Sequence, residues 1–271
     1  MSAFQDGAEG VYFDLAEDIY RAATGVNISA LKSMGKSPAH YLAQLTQPKS
    51  EPTPAMVFGT LLHRAALEPH RLEGSFAVRP DGMNFTTKEG KAWRDAQTLP
   101  IITAEQNEAL KGAAVSVAEH KAVKKILNLD DARREVSVFK RRIKKNPNST
   151  LLKGRLDIVF DDDERNTCIA DIKTTEDASP EGFAKSIAAF GYAQQAAYYM
   201  DLLEASFFLF IAVEKVAPYA VGVYCLDAES IALGREKNTR QLDLLEQCQE
   251  SGIWPAYSQE IETITLPRWA K

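Results

Sequence analysis

The chain has 271 residues, 45% hydrophobic and 25% charged, with a net charge of −5, the balance of an ordinary folded enzyme and not of a disordered or fibrous chain. No stretch approaches the ~20 apolar residues needed to cross a bilayer, and the start, Met1-Ser2-Ala3-Phe4-Gln5-Asp6, lacks the basic opening and apolar run of a secretory signal, so a cytoplasmic enzyme is expected. Three scattered cysteines, Cys168, Cys225 and Cys248, form no CxxC pair, which excludes a zinc or iron–sulfur framework.

Residues 1–130 read as mostly helical. Asn27 or Ser29 can cap a short helix through Met34, and Ser37-Pro38 opens another to about Thr46, with proline at the first helical position. Residues 47–54 hold three prolines and form a connector. The apolar run Ala55 to Leu67 is a core helix, and Thr103 with Gln106 makes a capping box for a long helix to about Asn128.

The pattern changes at Arg134. Glu135 to Lys140 is a strand, 146–149 a turn, Leu151 to Phe160 a second strand, 161–166 a polar turn, and Thr167 to Lys173 a third strand. Three strands joined by short turns predict an antiparallel meander. Helices follow over about 180–190 and 192–204, then strands over 206–214 and 219–227, then a helix from about Ala228 to Ser251. The expected fold is α/β: a mixed central sheet flanked by helices, in one domain of residues 1–271, with residues 1–130 as its helical part.

Chemistry concentrates on the second and third strands. Asp157 stands in an otherwise apolar strand, where an unpaired carboxylate is costly to bury. Asp171 and Lys173 are two residues apart on the next strand and so share a face. If the strands are neighbours, Asp157 can lie beside Asp171 on that face. Two uncompensated carboxylates held close repel, and a divalent cation such as magnesium is the natural remedy. Lys173 can then assist the attacking water or neutralise charge on a phosphate.

These residues, Gly-Arg-Leu-Asp157 followed by Asp171-Ile-Lys173-Thr-Thr, resemble the PD-(D/E)XK nuclease core. Gly59-Thr-Leu-Leu-His63 with Leu67-Glu68-Pro69 resembles the helix that supplies a histidine in RecB-like nucleases. Tyr192-Ala-Gln-Gln195-Ala-Ala-Tyr198-Tyr199 resembles their QxxxY motif. The order of the four elements is most similar to RecE-type phage and prophage exonucleases. That resemblance implies a metal held at His63, Asp157, Asp171 and Ile172, with Lys173, Gln195 and Tyr199 completing the catalytic set. It implies Mg2+, with Mn2+ able to substitute, and 5′ to 3′ degradation of linear double-stranded DNA from its ends, leaving 3′ single-stranded tails. It further implies a toroidal homo-oligomer, a tetramer, and a single-strand annealing protein as partner.

Some residues have plainer readings. His63 on an apolar helix can be a core histidine, Gln195 and Tyr199 can simply pack, and Glu135 reads as an ordinary strand glutamate. Ser33, Lys36 and Ser37 can hold a phosphate near helix N-termini, or serve as caps. Thr174 and Thr175 can donate to a phosphate, or finish a strand. The basic runs Lys140-Arg141-Arg142-Ile143-Lys144-Lys145 and Lys121 with Lys124 and Lys125 bear on nucleic-acid binding more than the net charge does. The alternatives to an exonuclease are a structure-specific or single-strand endonuclease on the same core, or a non-catalytic DNA-binding module.

Overall fold

The computed structural model describes residues 4–47, 51–142 and 149–266. In chain order its elements are β1 (Gly10–Tyr12), α1 (Glu17–Ala22), α2 (Ile28–Met34), α3 (Pro38–Thr46) and α4 (Pro54–Leu67). A short 3-10 turn at Pro69–Arg71 leads to β2 (Ala77–Val78), α5 (Lys88–Asp95), β3 (Ile101–Ile102), α6 (Ala104–Glu119) and α7 (Lys121–Leu127). Then come β4 (Arg133–Arg141), β5 (Leu151–Asp161), β6 (Thr167–Thr175), α8 (Pro180–Phe190), α9 (Tyr192–Leu203), β7 (Phe207–Glu214), β8 (Val221–Cys225) and α10 (Ala228–Ser251). Residues 146–148 of the predicted turn, residues 143–145 of the basic run and residues 48–50 of the proline-rich connector lie outside the described residues.

Local chemistry sets most helix starts as expected. Asn27 accepts from Ala30 N at 2.8 Å, Ser37 caps α3, and Thr103 and Gln106 form the reciprocal capping box of α6. The helix predicted to run on to Asn128 instead breaks at His120, whose extended backbone (ψ 121°) separates α6 from α7. Leu110, Ala113 and Val117 of the first piece and Val123 and Ile126 of the second enter the same core, so the break re-aims one apolar stripe.

Among the described residues a six-stranded sheet has the order β1-β4-β5-β6-β7-β8. β4, β5 and β6 form the expected antiparallel meander. β7 pairs parallel with β6, from Cys168↔Phe207 to Thr175↔Glu214, because α8 and α9 carry the chain across the sheet between them. β8 returns antiparallel, and β1, inside the stretch read as helical, covers the outer edge of β4. Its three residues carry no strand periodicity of their own, and the unpaired β4 edge supplies the partner.

Helices cover both faces. On one side α2, α3, α8, α9 and α10 bury Leu31, Tyr41, Phe183, Tyr198 and Leu245 against Val136, Leu156, Ile169 and Phe210. On the other, α4, α6 and α7 bury Leu62, Leu110 and Val123 against Ile158, Ile172 and Ile211. Each such fully buried aliphatic side chain contributes about 1.5–3 kcal/mol relative to exposure. No described helix is long and apolar enough to cross a membrane.

Candidate active site

In β5, Leu152 and Leu156 face the first core while Ile158 and Phe160 face the second, so the inside–outside alternation slips at Asp157. The partner strand slips at the same rung. Val136 and Val138 belong to the first core, whereas Arg134 reaches the carbonyls of Leu67 and Leu127 at 3.1 and 3.3 Å on the other side. Between them Glu135 has φ +52°, a left-handed backbone that costs a non-glycine residue about 1–3 kcal/mol and concentrates at functional sites. The β5–β6 ladder also ends here, at Ile158↔Ala170. Beyond it the buried Ile172 N–H donates to Asp157 Oδ2 at 2.7 Å, which satisfies a group that cannot stay unpaired.

The slip brings Asp157 toward α4. His63 Nδ1 lies 3.1 Å from Asp157 Oδ2, and ligand atoms of His63, Glu135 and Asp157 all lie within 4.8 Å of one another. Arg155 Nε donates to Glu135 Oε2 at 2.7 Å, and its Nη1 donates to Leu15 O at 2.8 Å and Ser137 Oγ at 3.1 Å. These residues line a cleft of about 370 Å3, together with Gly59 and Thr60 of α4. Gly59 lies over β6, where an added Cβ would stand 3.7 Å from Thr174 Oγ1.

A second group sits beside the first. Asp171 is 2% exposed; its Oδ1 accepts from Gln195 Nε2 of α9 at 3.0 Å and its Oδ2 forms an ion pair with Lys173. Lys173 is the main compensation for this buried carboxylate, with His63 adding to it. Lys173 Nζ also stands 5.2 Å from the Tyr192 ring centroid.

The charges interlock. Burial would push the His63 imidazole down, but the Asp157 carboxylate outweighs it and holds His63 at about 9. Asp157 is buried as well, and His63 nonetheless keeps it below the usual carboxylate range. Asp171 goes the other way: burial, with repulsion from Asp157, raises it to about 6 against the pull of Lys173. Burial also raises Glu135, and Asp157 adds to it. Burial opposes the charge on Lys173, yet Asp171 more than restores it. Three acids, Glu135, Asp157 and Asp171, thus share three cations, Arg155, His63 and Lys173, and burial falls hardest on Asp171 and Glu135, the two whose carboxyls are raised.

The expected set is gathered but divided. His63, Asp157 and the main chain of Ile172 meet as anticipated; Asp171 belongs instead with Lys173 and Gln195, on the α9 side. Glu135, read as an ordinary strand glutamate, joins His63 and Asp157. Its one sequence signal is being the acidic residue in line with Asp157 across the hairpin, and only the twin slip makes that alignment converge. Tyr199 is 8% exposed and packs on Tyr198 and Phe208, next to Gly154. Ser37 spends its hydroxyl on the α3 cap and His40, and Ser33 Oγ donates to Ala30 O. Lys36 is exposed. Thr175 is buried with its hydroxyl on Asp177 O at 3.1 Å, so it finishes the strand and its turn, and Thr174 faces Gly59.

A mixed sheet between helical layers, with one acid on a central strand and an acid–x–lysine on its neighbour, defines a PD-(D/E)XK-type core with a nuclease-like fold. The chain belongs to the family described as PDDEXK-like domain of unknown function (DUF3799), which it matches over residues 27–267. No functionally curated protein matches it by sequence. A crystal structure from Eubacterium rectale, of a protein whose exonuclease assignment is itself provisional, superposes with a TM-score of 0.62 at 10% identity, covering 94% of this chain and 96% of the other. A phage-related exonuclease from Haemophilus somnus 129PT is similar at a TM-score of 0.37 and 13% identity, covering 83% of each chain. The resemblance to the PD-(D/E)XK core is thus borne out at the level of family and fold.

Proposed function

We propose that this protein is a divalent-metal-dependent DNA exonuclease of the RecE type. The observation that carries the reading is the convergence of His63, Glu135 and Asp157 within 4.8 Å in a cleft, next to the buried Asp171–Lys173 ion pair. Two carboxylates and an imidazole suit a divalent cation, with carboxylates favouring Mg2+ and the imidazole making Mn2+ an acceptable substitute. His63, Glu135 and Asp157 would hold it, with Asp171 and the main chain of Ile172 alongside. When bound, the cation supplies Lewis acidity toward a phosphate and the attacking water.

The chain's own residues do the rest. Lys173 keeps a charged ammonium in a poorly solvated place and neutralises charge that builds on the phosphate. Gln195 fixes the orientation of Asp171, and Arg155 fixes Glu135. Tyr199 backs α9 where it carries Gln195. By resemblance, attack starts at ends of linear duplex DNA and runs 5′ to 3′, a toroidal tetramer encloses the substrate, and the 3′ tail passes to a single-strand annealing protein. Ser33, Lys36 and Thr174 are phosphate contacts in this reading.

Linear duplex labelled at the 5′ or the 3′ end, digested with magnesium or with EDTA, tests it. Magnesium-dependent early release of the 5′ label is expected, with a closed supercoiled plasmid left intact. Nicking of that plasmid would assign an endonuclease on the same core. Absence of any cleavage in magnesium or manganese would leave a non-catalytic binding module.

A further inference from the structure

A second, larger groove of about 1320 Å3 opens beside the acid cluster, beyond the ~300–1,000 Å3 of a small-molecule pocket. The two spaces share Glu17, Arg21, Thr60, Arg64 and Arg71, so they adjoin with the arginines at the junction. Glu17 holds Arg21 Nε at 2.8 Å and Arg64 at 3.6 Å, and Glu68 holds Arg71 at 2.7 Å. Three arginines thus face two glutamates, a small cationic surplus in a chain of net charge −5. Beside the arginines the groove carries solvent-open apolar side chains: Met56, one turn of α4 before Thr60, is 60% exposed, and Leu99 is 40% exposed, with Val57 also lining the groove.

Apolar side chains and arginines together select the ligand. Duplex DNA presents phosphates outward and keeps its base faces stacked inside, so it offers Met56 and Leu99 no base face. An unstacked strand offers both: phosphates to guanidiniums and base faces to an apolar surface. The acids are also recessed, with Asp157 at 9% exposure, which a separated strand enters more readily than a full duplex. We propose that this groove is the path of a single DNA strand to the acid cluster, with its phosphates on Arg21, Arg64 and Arg71 and its bases against Met56, Val57 and Leu99. The inference rests on the nuclease reading above and adds which state of DNA the site takes and by which side it enters.

The test is fluorescence anisotropy with a 3′-labelled thymidine 12-mer and a blunt hairpin duplex, in calcium without magnesium, over a salt series. Arg64→Ala/Arg71→Ala should weaken 12-mer binding by about tenfold and lower its salt slope by about 1.4, that is ~0.7 per lost phosphate contact. Met56→Asn, which changes no charge, should weaken it several-fold with the slope unchanged, as loss of an apolar surface against a base does. Hairpin binding should move less than twofold. Unchanged 12-mer affinity in both variants, or equal losses on hairpin and 12-mer, would overturn the groove. Urea unfolding confirms that each variant is folded, and the surface change Met56→Asn keeps the test alive should the arginine pair prove structural. Wild-type cleavage of linear duplex in magnesium separates the two readings: an active wild type with normally binding variants sinks only the groove, whereas a wild type that neither cleaves nor binds sinks both.

Discussion

Lys173 and Asp171 form a pair in which each group makes the other's charge tolerable, so a change at one exposes the other. Lys173→Ala should reduce cleavage by at least about 10²–10³-fold, the usual cost of removing one electrostatic stabiliser, while DNA affinity stays within a few-fold because many phosphate contacts supply it. Paired cleavage and binding measurements check this, and near wild-type cleavage would make Lys173 a structural partner of Asp171. Lys32 offers a pH test away from the proposed metal-holding residues. Its ammonium donates to Phe190 O at 2.9 Å, but burial first, and Lys173 second, lower it from 10.5 to about 8. A depressed lysine penalises the fold below its folded pKa and ceases to do so above its unfolded one. Wild-type stability, measured against Lys32→Met by urea unfolding, should therefore rise between pH 8 and about 10.5. A difference that is flat over this window would show that Lys32 is not held in that way.

At the scale of elements, α10 explains why α9 is rigid enough to hold Gln195. Asn238 Nδ2 donates to Gln194 O at 3.0 Å, and Gln241 meets the Gln194 side chain at 2.5 Å. Gly234 lets the helices touch: a Cβ there would lie 2.3 Å from Ala193 O and 3.0 Å from Gln194 N, both main-chain atoms that cannot swing aside. Gly234→Ala gains helix propensity but must push α10 off the first turn of α9. We expect a net loss of about 1–3 kcal/mol in urea unfolding, as for other overpacked contacts, and a lower kcat, since Gln195 N is the next residue on that turn. A more stable Gly234→Ala protein would show that the two helices separate at no cost. The sequence motif names Gln195 but carries no hint of this clamp, because the clamp depends on residues some forty positions away.

For the whole molecule, the site couples charge to folding: burial raises Asp171 and Glu135, while the His63–Asp157 pair supports the fold. A ligand that binds only the folded state stabilises it by about 2.7 kcal/mol at a hundredfold excess over Kd, so magnesium should raise the wild-type Tm. Asp157 already serves the fold through His63 and Ile172 N–H. Asp157→Asn should thus be less stable than wild type in EDTA, by about 1–2 kcal/mol, and should lose most of the response to magnesium. Thermal unfolding of both proteins with EDTA and with magnesium decides; a full magnesium response in the variant would remove Asp157 from the metal-holding set. Calcium should support DNA binding without cleavage, because its larger, looser shell fits the oxygens but not the geometry of attack; brisk cleavage in magnesium-free calcium would argue against that requirement.

What the sequence determined by itself was local: helix caps at Asn27, Ser37 and Thr103, the three-strand meander from its turns and β-branched runs, and Asp157, Asp171 and Lys173 as polar intrusions into apolar strands. Such features follow from backbone hydrogen bonding and side-chain periodicity within a few residues. The tertiary structure alone decided that β1 would seal the β4 edge, that β7 would run parallel to β6, and that Glu135 would meet His63 and Asp157. It also parted Asp171 from that trio. Strict strand alternation predicts two acids side by side, but burying both cores requires β4 and β5 to slip phase together at Glu135 and Asp157, and a phase slip between two packed layers is a property of the layers, not of either strand.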